Sequence, residues 1–287
     1  MTHMESENRR RGRPRAFHDK TETNTVRSLD KALNVLRLLA TGRGLSLTEI
    51  AETSNISAPT VYRALITFQQ HGMVSFDEAG QLWSIGVETF RIGSAFLVRT
   101  NVVEQARPVM QALMQKSGET ANLGVLDGND VVFVSQVETH EPIRAFFRPG
   151  SSGALHASGI GKALFAHMSD REATRVARQV RFEPYTARTI GTAEELLLDR
   201  IKAREVGFAI DDEERTEGMR CIAAPIFNAF GEAIAAISIS GPTVRMRRER
   251  NTELGALVQR AAKDITGATG GIHGEMLSNN QTGNRGS

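Results

Sequence analysis

The chain has 287 residues, of which 40% are hydrophobic and 24% are charged, and its formal net charge at pH 7 is +2. This composition predicts a soluble globular protein with room for two domains of roughly 100–200 residues each. A run of about 18 apolar residues, which a membrane span needs, does not occur. The arginine-rich start has no apolar stretch behind it and does not fit a secretory signal. The single cysteine, Cys221, fits a reducing cytoplasm, where we expect the protein to reside.

Positive charge is concentrated near the start of the chain. Residues 9–15 hold five arginines and no acid, whereas residues 82–287 hold as many acidic as basic residues. A basic arm on a neutral body fits a polyanionic partner bound at one end, and it equally fits a solvated tail. The Arg-Gly-Arg-Pro core matches the AT-hook, a slim motif whose arginines lie along the minor groove of A·T-rich DNA. The predicted minor-groove contacts are therefore Arg11, Arg13 and Arg15.

The first region with periodic apolar residues predicts two short helices. Apolar residues recur at helical spacing across 29–39, with Ser28 placed to cap the helix and Gly42 to end it. Ser46 and Glu49 then form a Ser-x-x-Glu capping box, in which each side chain accepts a hydrogen bond from a free amide at the helix start. The sequence thus predicts a second helix that begins beside Ser46.

A third helix follows, with Ser57 as its cap and Pro59 in its first turn, where amides have no intrahelical partner. Its apolar stripe consists of Val61, Ala64, Leu65 and Phe68, and the opposite face presents Thr60, Tyr62, Arg63 and Thr67. The segments VSF and LWS, separated by DEAGQ, predict a small hairpin. Two tandem helices, the second with a polar face, followed by a hairpin, are typical of a winged helix-turn-helix. A small helical domain with a polar face is the alternative.

In the helix-turn-helix interpretation, the start of the third helix meets base edges and phosphates in the major groove. Arg63 could bind guanine through two hydrogen bonds, and Thr60 and Tyr62 could reach phosphates or a thymine methyl group. The predicted DNA contacts on this helix are Ser57, Thr60, Tyr62, Arg63 and Thr67.

The second region alternates helices with strands, which predicts an α+β domain. Two helices run to Gly118, and two strands flank the turn at Asp127 and Gly128. The segment 143–150 reads as extended, and AAPIFN and AIAAISISG read as two further strands. The predicted segments of the whole chain are a disordered basic arm (1–25), a winged helix-turn-helix domain (26–86), a connecting helix (87–101), an α+β domain (102–267) and a disordered tail (268–287).

Three places in the second region are candidates for a ligand site. The helix that starts at 158–161 offers free amides and the positive end of its dipole to a carboxylate, although its glycines could serve packing alone. The charged loop DDEERTEGMRC leads into an apolar strand, where functional polar groups often collect. Ser238 and Ser240 project from one face of a strand, and buried hydroxyls need partners, which a ligand or the backbone could supply.

An enzyme is the competing interpretation. Cys221 with His156 fits a nucleophile and its base, and Asp211 with Asp212 fits an acid–base pair. A lone cysteine at the edge of an apolar strand is more often a buried small hydrophobe, and adjacent residues rarely face the same point. We therefore predict no catalytic residue and no cofactor. We also predict no metal, because zinc-ligand spacing is lacking. A ligand-sensing module without a DNA role is a third hypothesis, which the helix-turn-helix pattern opposes.

Five blocks in their order resemble the IclR family of bacterial transcription regulators. They are SLDKALNVLRLLA continuing to LSLTEIAETSNISAPTVYRALITFQQHGMV, then ARPVMQALMQKSGETANLGVLDGNDVVFV, LHASGIGKALFA and GFAIDDEERTEGMRCIAAPIFNAFGEAIAAISISGP. The resemblance implies an N-terminal winged helix-turn-helix, a linker helix and a C-terminal GAF-like effector domain. It also implies homodimers, often paired into homotetramers, on palindromic double-stranded operators. Trp83 stands where the family more often has Tyr, and the arginine arm lies outside the shared core.

The resemblance also implies the effector site. In members that bind glyoxylate or pyruvate, the effector lies among residues that match Gly159, Ile160, Asp211, Cys221, Ser238 and Ser240, and Ser158 adjoins this set. We therefore expect a small carboxylic acid, with the 2-oxo acid glyoxylate as the first choice. Asp211 would have to be protonated or accept a hydrogen bond from a hydrated carbonyl. Members that bind aromatic acids share the fold, so regulation of aromatic-acid catabolism is the alternative.

Overall fold

The structure, a computed structural model, describes residues 25–40, 44–100 and 102–272. The chain divides into two compact units, with the boundary between Phe96 and Leu97. The predicted minor-groove residues Arg11, Arg13 and Arg15, and the predicted helix end at Gly42, lie outside the described residues. Within the described residues, no helix is both long and apolar enough to cross a bilayer.

Within the described residues, the first unit contains three helices and a two-stranded antiparallel hairpin, in the predicted order, and the start of a fourth helix. Its elements are α1 (Arg27–Leu39), α2 (Leu47–Ser54), α3 (Ala58–Gln70), β1 (Val74–Asp77) and β2 (Leu82–Ile85), followed by α4 (Val87–Thr100). The boundary between the units falls within α4, the helix predicted as a linker.

The predicted helix caps are confirmed at α2 and wrong at α1. The Ser46 hydroxyl accepts from the Glu49 amide at 3.3 Å, and the Glu49 carboxylate accepts from the Ser46 amide at 2.8 Å. At α1 the capping position is Val26, without a side-chain bond, and Ser28 lies inside the first turn. Ser57 occupies the capping position of α3, but its hydroxyl lies 3.0 Å from the Thr60 hydroxyl and does not bond an amide.

The apolar stripe of α3 packs inward, and the hairpin closes the core beneath it. Val61 and Leu65 are fully buried, and Phe68 is 9% exposed. Trp83 of β2 is 4% exposed, and its ring lies 4.6 Å from the ring of Phe76. Because the inward face of α3 is used in this core, its hydrophilic face is left on the surface of the unit.

The second unit is a six-stranded antiparallel sheet with helices on both faces, in the strand order β5-β4-β3-β8-β7-β6. Its elements are α5 (Val102–Ser117), β3 (Thr120–Asp127), β4 (Asp130–Val137), β5 (Ser152–Ala154), α6 (Gly159–Ala166), α7 (Asp170–Ala177), α8 (Ala193–Val206), β6 (Ala209–Asp212), β7 (Met219–Phe227), β8 (Ala233–Pro242) and α9 (Asn251–Ala268). A helix-turn-helix followed by an α+β domain confirms the predicted fold class, and the GAF-like assignment stays a prediction.

Strand alternation decides which side chains face which helices. Ile237 and Ile239 of β8 belong to the core formed with α5 and α9, whereas Ala236 belongs to the core formed with α6. Successive side chains of a strand point to opposite faces. Ser238 and Ser240 therefore lie on the α6 face, as the sequence predicted for a pair two residues apart.

The segment 143–150, predicted as extended, adds no strand to the sheet, and the edge strand is β5. The predicted tail 268–287 starts too early, because Gly271 donates to the Thr266 carbonyl at 2.7 Å and Ile272 donates to the Asn228 carbonyl at 3.1 Å. Gly270, with φ of 74°, allows the chain to turn back after α9. Residues 268–272 therefore belong to the second unit.

Candidate DNA-binding helix and effector cavity

The hydrophilic face of α3 is accessible on the first unit. Tyr62 is 49% exposed, Arg63, Thr67 and Ser57 are exposed, and Thr60 is partly buried. The Thr67 hydroxyl donates to the Arg63 carbonyl at 2.9 Å. The five side chains predicted to contact DNA thus present a guanidinium, a phenol and three hydroxyls from one exposed surface.

A cavity of about 450 Å³ lies on the α6 face of the sheet in the second unit. Five of the seven predicted effector residues line it, namely Ser158, Gly159, Asp211, Cys221 and Ser240. Ile160 and Ser238 are fully buried and are not part of its lining. The Ile160 side chain packs towards β3. A Cβ atom added to Gly124 of that strand would lie 3.1 Å from the Cγ2 atom of Ile160.

Strand register brings three of these residues together from distant parts of the sequence. Asp211 of β6 pairs with Cys221 of β7, and Cys221 pairs with Ser240 of β8. The three side chains form one row across the sheet, because paired residues project to the same face. This row is the polar floor of the cavity.

The N-terminus of α6 lies directly against this floor. A Cβ on Gly159 would lie 2.8 Å from the Cys221 sulfur, and one on Gly161 would lie 2.5 Å from the Leu155 carbonyl oxygen. Both glycines are therefore required for close packing, which was one of the two interpretations left open by the sequence. The same approach brings the first-turn amides, which have no intrahelical partner, to the cavity.

Ser158 caps α6 at the cavity wall. Its hydroxyl oxygen accepts from the Gly161 amide at 3.4 Å, and its carbonyl accepts from the Lys162 amide at 2.9 Å. The amides of Gly159 and Ile160 come before those of Gly161 and Lys162 in the first turn of α6, so neither takes part in these two bonds. The dipole of α6 and these amides favour negative charge at this end of the cavity.

Asp211 is 9% exposed, and its Oδ1 atom accepts from the amides of Glu214 at 2.8 Å and Arg215 at 3.4 Å. Burial raises the pKa of this carboxyl above its usual range, and the charge of Lys162 and the two amides oppose the rise only in part. The neutral form of Asp211 is thus more accessible than that of an ordinary aspartate.

A buried charge network lies behind the floor. Lys162 of α6 is 1% exposed, and its ammonium group lies 2.6 Å from Glu214 and 3.3 Å from Asp199. Burial disfavours the charge of Lys162, but these two carboxylates outweigh it and the pKa of Lys162 is raised. Burial raises the pKa of Glu214 to about 7, against the opposing charge of Lys162. The network ties α6 to α8 and to the loop after β6.

The groups that suggested an enzyme do not form catalytic pairs. Burial, with the nearby Asp211 carboxylate, raises the pKa of Cys221 to about 11, so the thiol is protonated at neutral pH. His156 lines a different cavity, together with Tyr185, and one ring nitrogen lies 3.1 Å from the Glu183 carbonyl oxygen. Asp212 accepts a hydrogen bond from Arg220 at 2.8 Å, away from the row that contains Asp211.

The cavity also has walls that the sequence analysis did not assign. Its aromatic wall consists of Phe133, Phe146 and Phe147, and the first and last of these rings stack at 4.4 Å. Arg148 and Arg215 line it as well. Arg215 belongs to the charged loop that the sequence singled out, whereas the phenylalanines at 146 and 147 lie in a segment described only as extended.

Comparisons with known proteins match both units. The model for the IclR helix-turn-helix domain matches residues 28–78, and the model for the bacterial transcriptional regulator IclR C-terminal domain matches residues 94–267. The HTH-type transcriptional regulator BhcR of Paracoccus denitrificans is 48% identical over 261 residues, which cover 90% of this chain and 94% of BhcR.

Solved structures agree with these matches. The Thermotoga maritima IclR crystal structure is 28% identical, with a TM-score of 0.71, and the match covers 85% of this chain and 99% of that one. An IclR homolog from Microbacterium hydrocarbonoxydans, crystallised with 4-hydroxybenzoate, shares the fold at 20% identity, with a TM-score of 0.75 and coverage of 84% and 98%. The chain therefore belongs to the IclR family of bacterial transcriptional regulators, with a DNA-binding helix-turn-helix in its first unit and an effector domain in its second.

Proposed function

We propose that the chain binds double-stranded DNA through the exposed polar face of α3 and responds to a small carboxylic acid held in the cavity of the second unit. The row of Asp211, Cys221 and Ser240 beneath the N-terminus of α6 carries this proposal. Backbone amides and hydroxyls there offer several donors to a carboxylate within a small area. The acid acts only through its difference in affinity between DNA-bound and free arrangements of the protein.

A 2-oxo acid such as glyoxylate is the proposed effector. Its carboxylate would accept from the first-turn amides of α6 and from the hydroxyls of Ser158 and Ser240. Its hydrated carbonyl would donate to Asp211, whose second oxygen is not used by the amides of the loop. The raised pKa of Asp211 supports this assignment, because a neutral or hydrogen-bonded carboxyl tolerates an anion beside it.

An aromatic acid is the second candidate, and the size of the cavity favours it. A volume of about 450 Å³ lies within the roughly 300–1,000 Å³ usual for larger ligands and exceeds what a two-carbon acid fills. The aromatic wall formed by Phe133, Phe146 and Phe147 would pack against a ring. The Microbacterium homolog crystallised with 4-hydroxybenzoate supports the same class.

Thermal unfolding with a panel of acids distinguishes the two candidates. Saturating glyoxylate should raise the melting temperature by several degrees. A ligand at 100 times its Kd adds about 2.7 kcal/mol to the free energy of unfolding. Each kcal/mol shifts Tm by about 2–4 °C in a domain of this size. Stabilisation by 4-hydroxybenzoate with no response to glyoxylate or pyruvate would select the aromatic class. Gly159→Ala should abolish the response because its Cβ collides with Cys221, whereas the matched Gly191→Ala should retain it.

Arg63 is the residue of α3 that we expect to contribute most to operator affinity. Arg63→Ala should weaken binding roughly 10- to 100-fold, because a bidentate contact to guanine contributes about 1–3 kcal/mol. The measurement is a gel shift at fixed salt, on a duplex selected from random sequences by the unaltered chain. Arg175→Ala removes an exposed arginine from α7 and should change nothing. Equal affinities of the two variants would remove Arg63 from the interface.

The arginine arm and self-association extend the proposal. Arg11, Arg13 and Arg15 would add minor-groove contacts, so a chain without residues 1–16 should bind the same duplex more weakly and with a smaller salt dependence. A homodimer, paired into a homotetramer, on a palindromic operator is supported by the apolar face of α1, where Val26 is 63% and Leu29 is 54% exposed. Sedimentation equilibrium of the full chain measures this state.

The relatives are transcriptional regulators and not enzymes, and the chain has no enzymatic role. Reactivity of Cys221, the single cysteine, provides a chemical check. With a pKa of about 11, its thiolate fraction should increase tenfold per pH unit, so alkylation by iodoacetamide should accelerate from pH 7 to 10 without a plateau. In the urea-unfolded chain, the rate should reach half its maximum near pH 8.5, the ordinary pKa of cysteine, and level off about one pH unit higher. A plateau below pH 8 in the folded chain would reveal an activated thiolate and contradict this account.

A further inference from the structure

We propose that Arg215 pairs with the carboxylate of the effector and makes the cavity selective for an anion. This assignment rests on the proposed function, in which the effector is a carboxylic acid, and it holds for both candidate acids. Arg215 lies in the loop between β6 and β7, is partly buried, and lines the cavity together with Asp211. None of the residues predicted from the sequence supplies a positive charge at this site.

In the part of the chain that the structure describes, Arg148 and Arg215 are the cations that line the cavity, and Arg215 is the better placed to pair with a carboxylate. Lys162 is fully buried, is bound by Glu214 and Asp199, and does not line the cavity. Arg148 lines the cavity but is exposed, so water and salt screen its charge. Among the described residues, no carboxylate forms an ion pair with Arg215, and the contacts of its guanidinium are with the neutral Tyr185 side chain.

The guanidinium is held in place before any ligand arrives. Its central carbon lies 3.9 Å from the ring centroid of Tyr185, a cation–π contact that orients the plane of the group. The Arg215 amide donates to Asp211 Oδ1 at 3.4 Å, and the Thr189 hydroxyl donates to the Glu214 carbonyl at 2.6 Å. Because these contacts already restrict the Arg215 side chain, it loses little conformational entropy when a ligand binds, which favours affinity.

The electrostatics of the cavity favour such a partner. A carboxylate on the floor would lie beside Asp211, and a cation would offset the repulsion between the two acids whenever Asp211 is ionised. The planar fork of a guanidinium offers two parallel hydrogen bonds to a carboxylate, and it remains charged at every physiological pH. Arg215 thus supplies both the charge and the geometry that the polar floor does not have.

Calorimetric titration of the full-length chain tests the assignment, with glyoxylate and 4-hydroxybenzoate and their primary amides as probes. Arg215→Gln should weaken binding of the acid about 10- to 100-fold, the range expected for a hydrogen bond to a charged group. It should also reduce the preference for the acid over its neutral amide. Arg215→Lys keeps the charge without the fork and should give an intermediate affinity. Tyr185→Phe should retain acid binding, whereas Tyr185→Leu should weaken it through loss of the ring.

Arg188→Gln is the matched control. Arg188 lies between α7 and α8, pairs with Asp212 at 3.5 Å and with Glu213 at 3.2 Å, and does not line the cavity. It should leave the acid affinity within about twofold. Unchanged acid binding by Arg215→Gln overturns the assignment and leaves the proposed effector class intact. An equal loss for acid and amide shows a structural role and also overturns it. Binding of neither acid by the unaltered chain overturns the effector class, and the assignment of Arg215 falls with it.

Discussion

The antiparallel pairing of β6, β7 and β8 is the constraint on which the proposed effector site depends. Backbone hydrogen bonds fix the register that aligns Asp211, Cys221 and Ser240. A shift by one residue would turn all three side chains to the opposite face, into the apolar core with α5 and α9. The same ladder sets the surface against which α6 packs, and only glycine at 159 lets its free amides come this close. One sheet register thus creates both the polar floor and the anion-attracting helix end.

Buried charge then fixes the loop that closes this site. Lys162 cannot remain ionised inside the protein without Glu214 and Asp199, and these contacts join α6, α8 and the loop after β6. The backbone of that loop binds Asp211, and the next residue of the loop, Arg215, lines the cavity. In the first unit, α3 uses one face in the core and leaves the other to solvent. Core packing thus leaves a polar surface in each unit that is available for binding.

Local signals in the sequence were enough for the helix-turn-helix and for the three candidate segments of the site, whereas the individual effector residues came from the resemblance to the IclR family. The capping box at Ser46, the stripe of α3 and the alternation of β8 each depend on neighbours within a few residues, so periodicity revealed them. The cap of α1 was misassigned because the helix begins at Arg27, with the Val26 carbonyl accepting from the Asp30 amide, so Ser28 already lies inside it. Helices α7, α8 and α9 were not predicted, and neither was the aromatic wall. Phe133 and Phe147 meet only through tertiary packing between β4 and a segment without regular structure, which no local pattern records.

In the proposed function, occupancy of the cavity changes how strongly the first unit binds DNA. Linkage makes this claim reciprocal, because an acid that changes operator affinity by some factor must have its own affinity changed by operator DNA by the same factor. The direct measurement is the operator Kd of the full chain without acid and with saturating acid, paired with the acid Kd without and with operator. The account predicts two equal factors that differ from one. An operator Kd unaffected by an acid that demonstrably fills the cavity would contradict it.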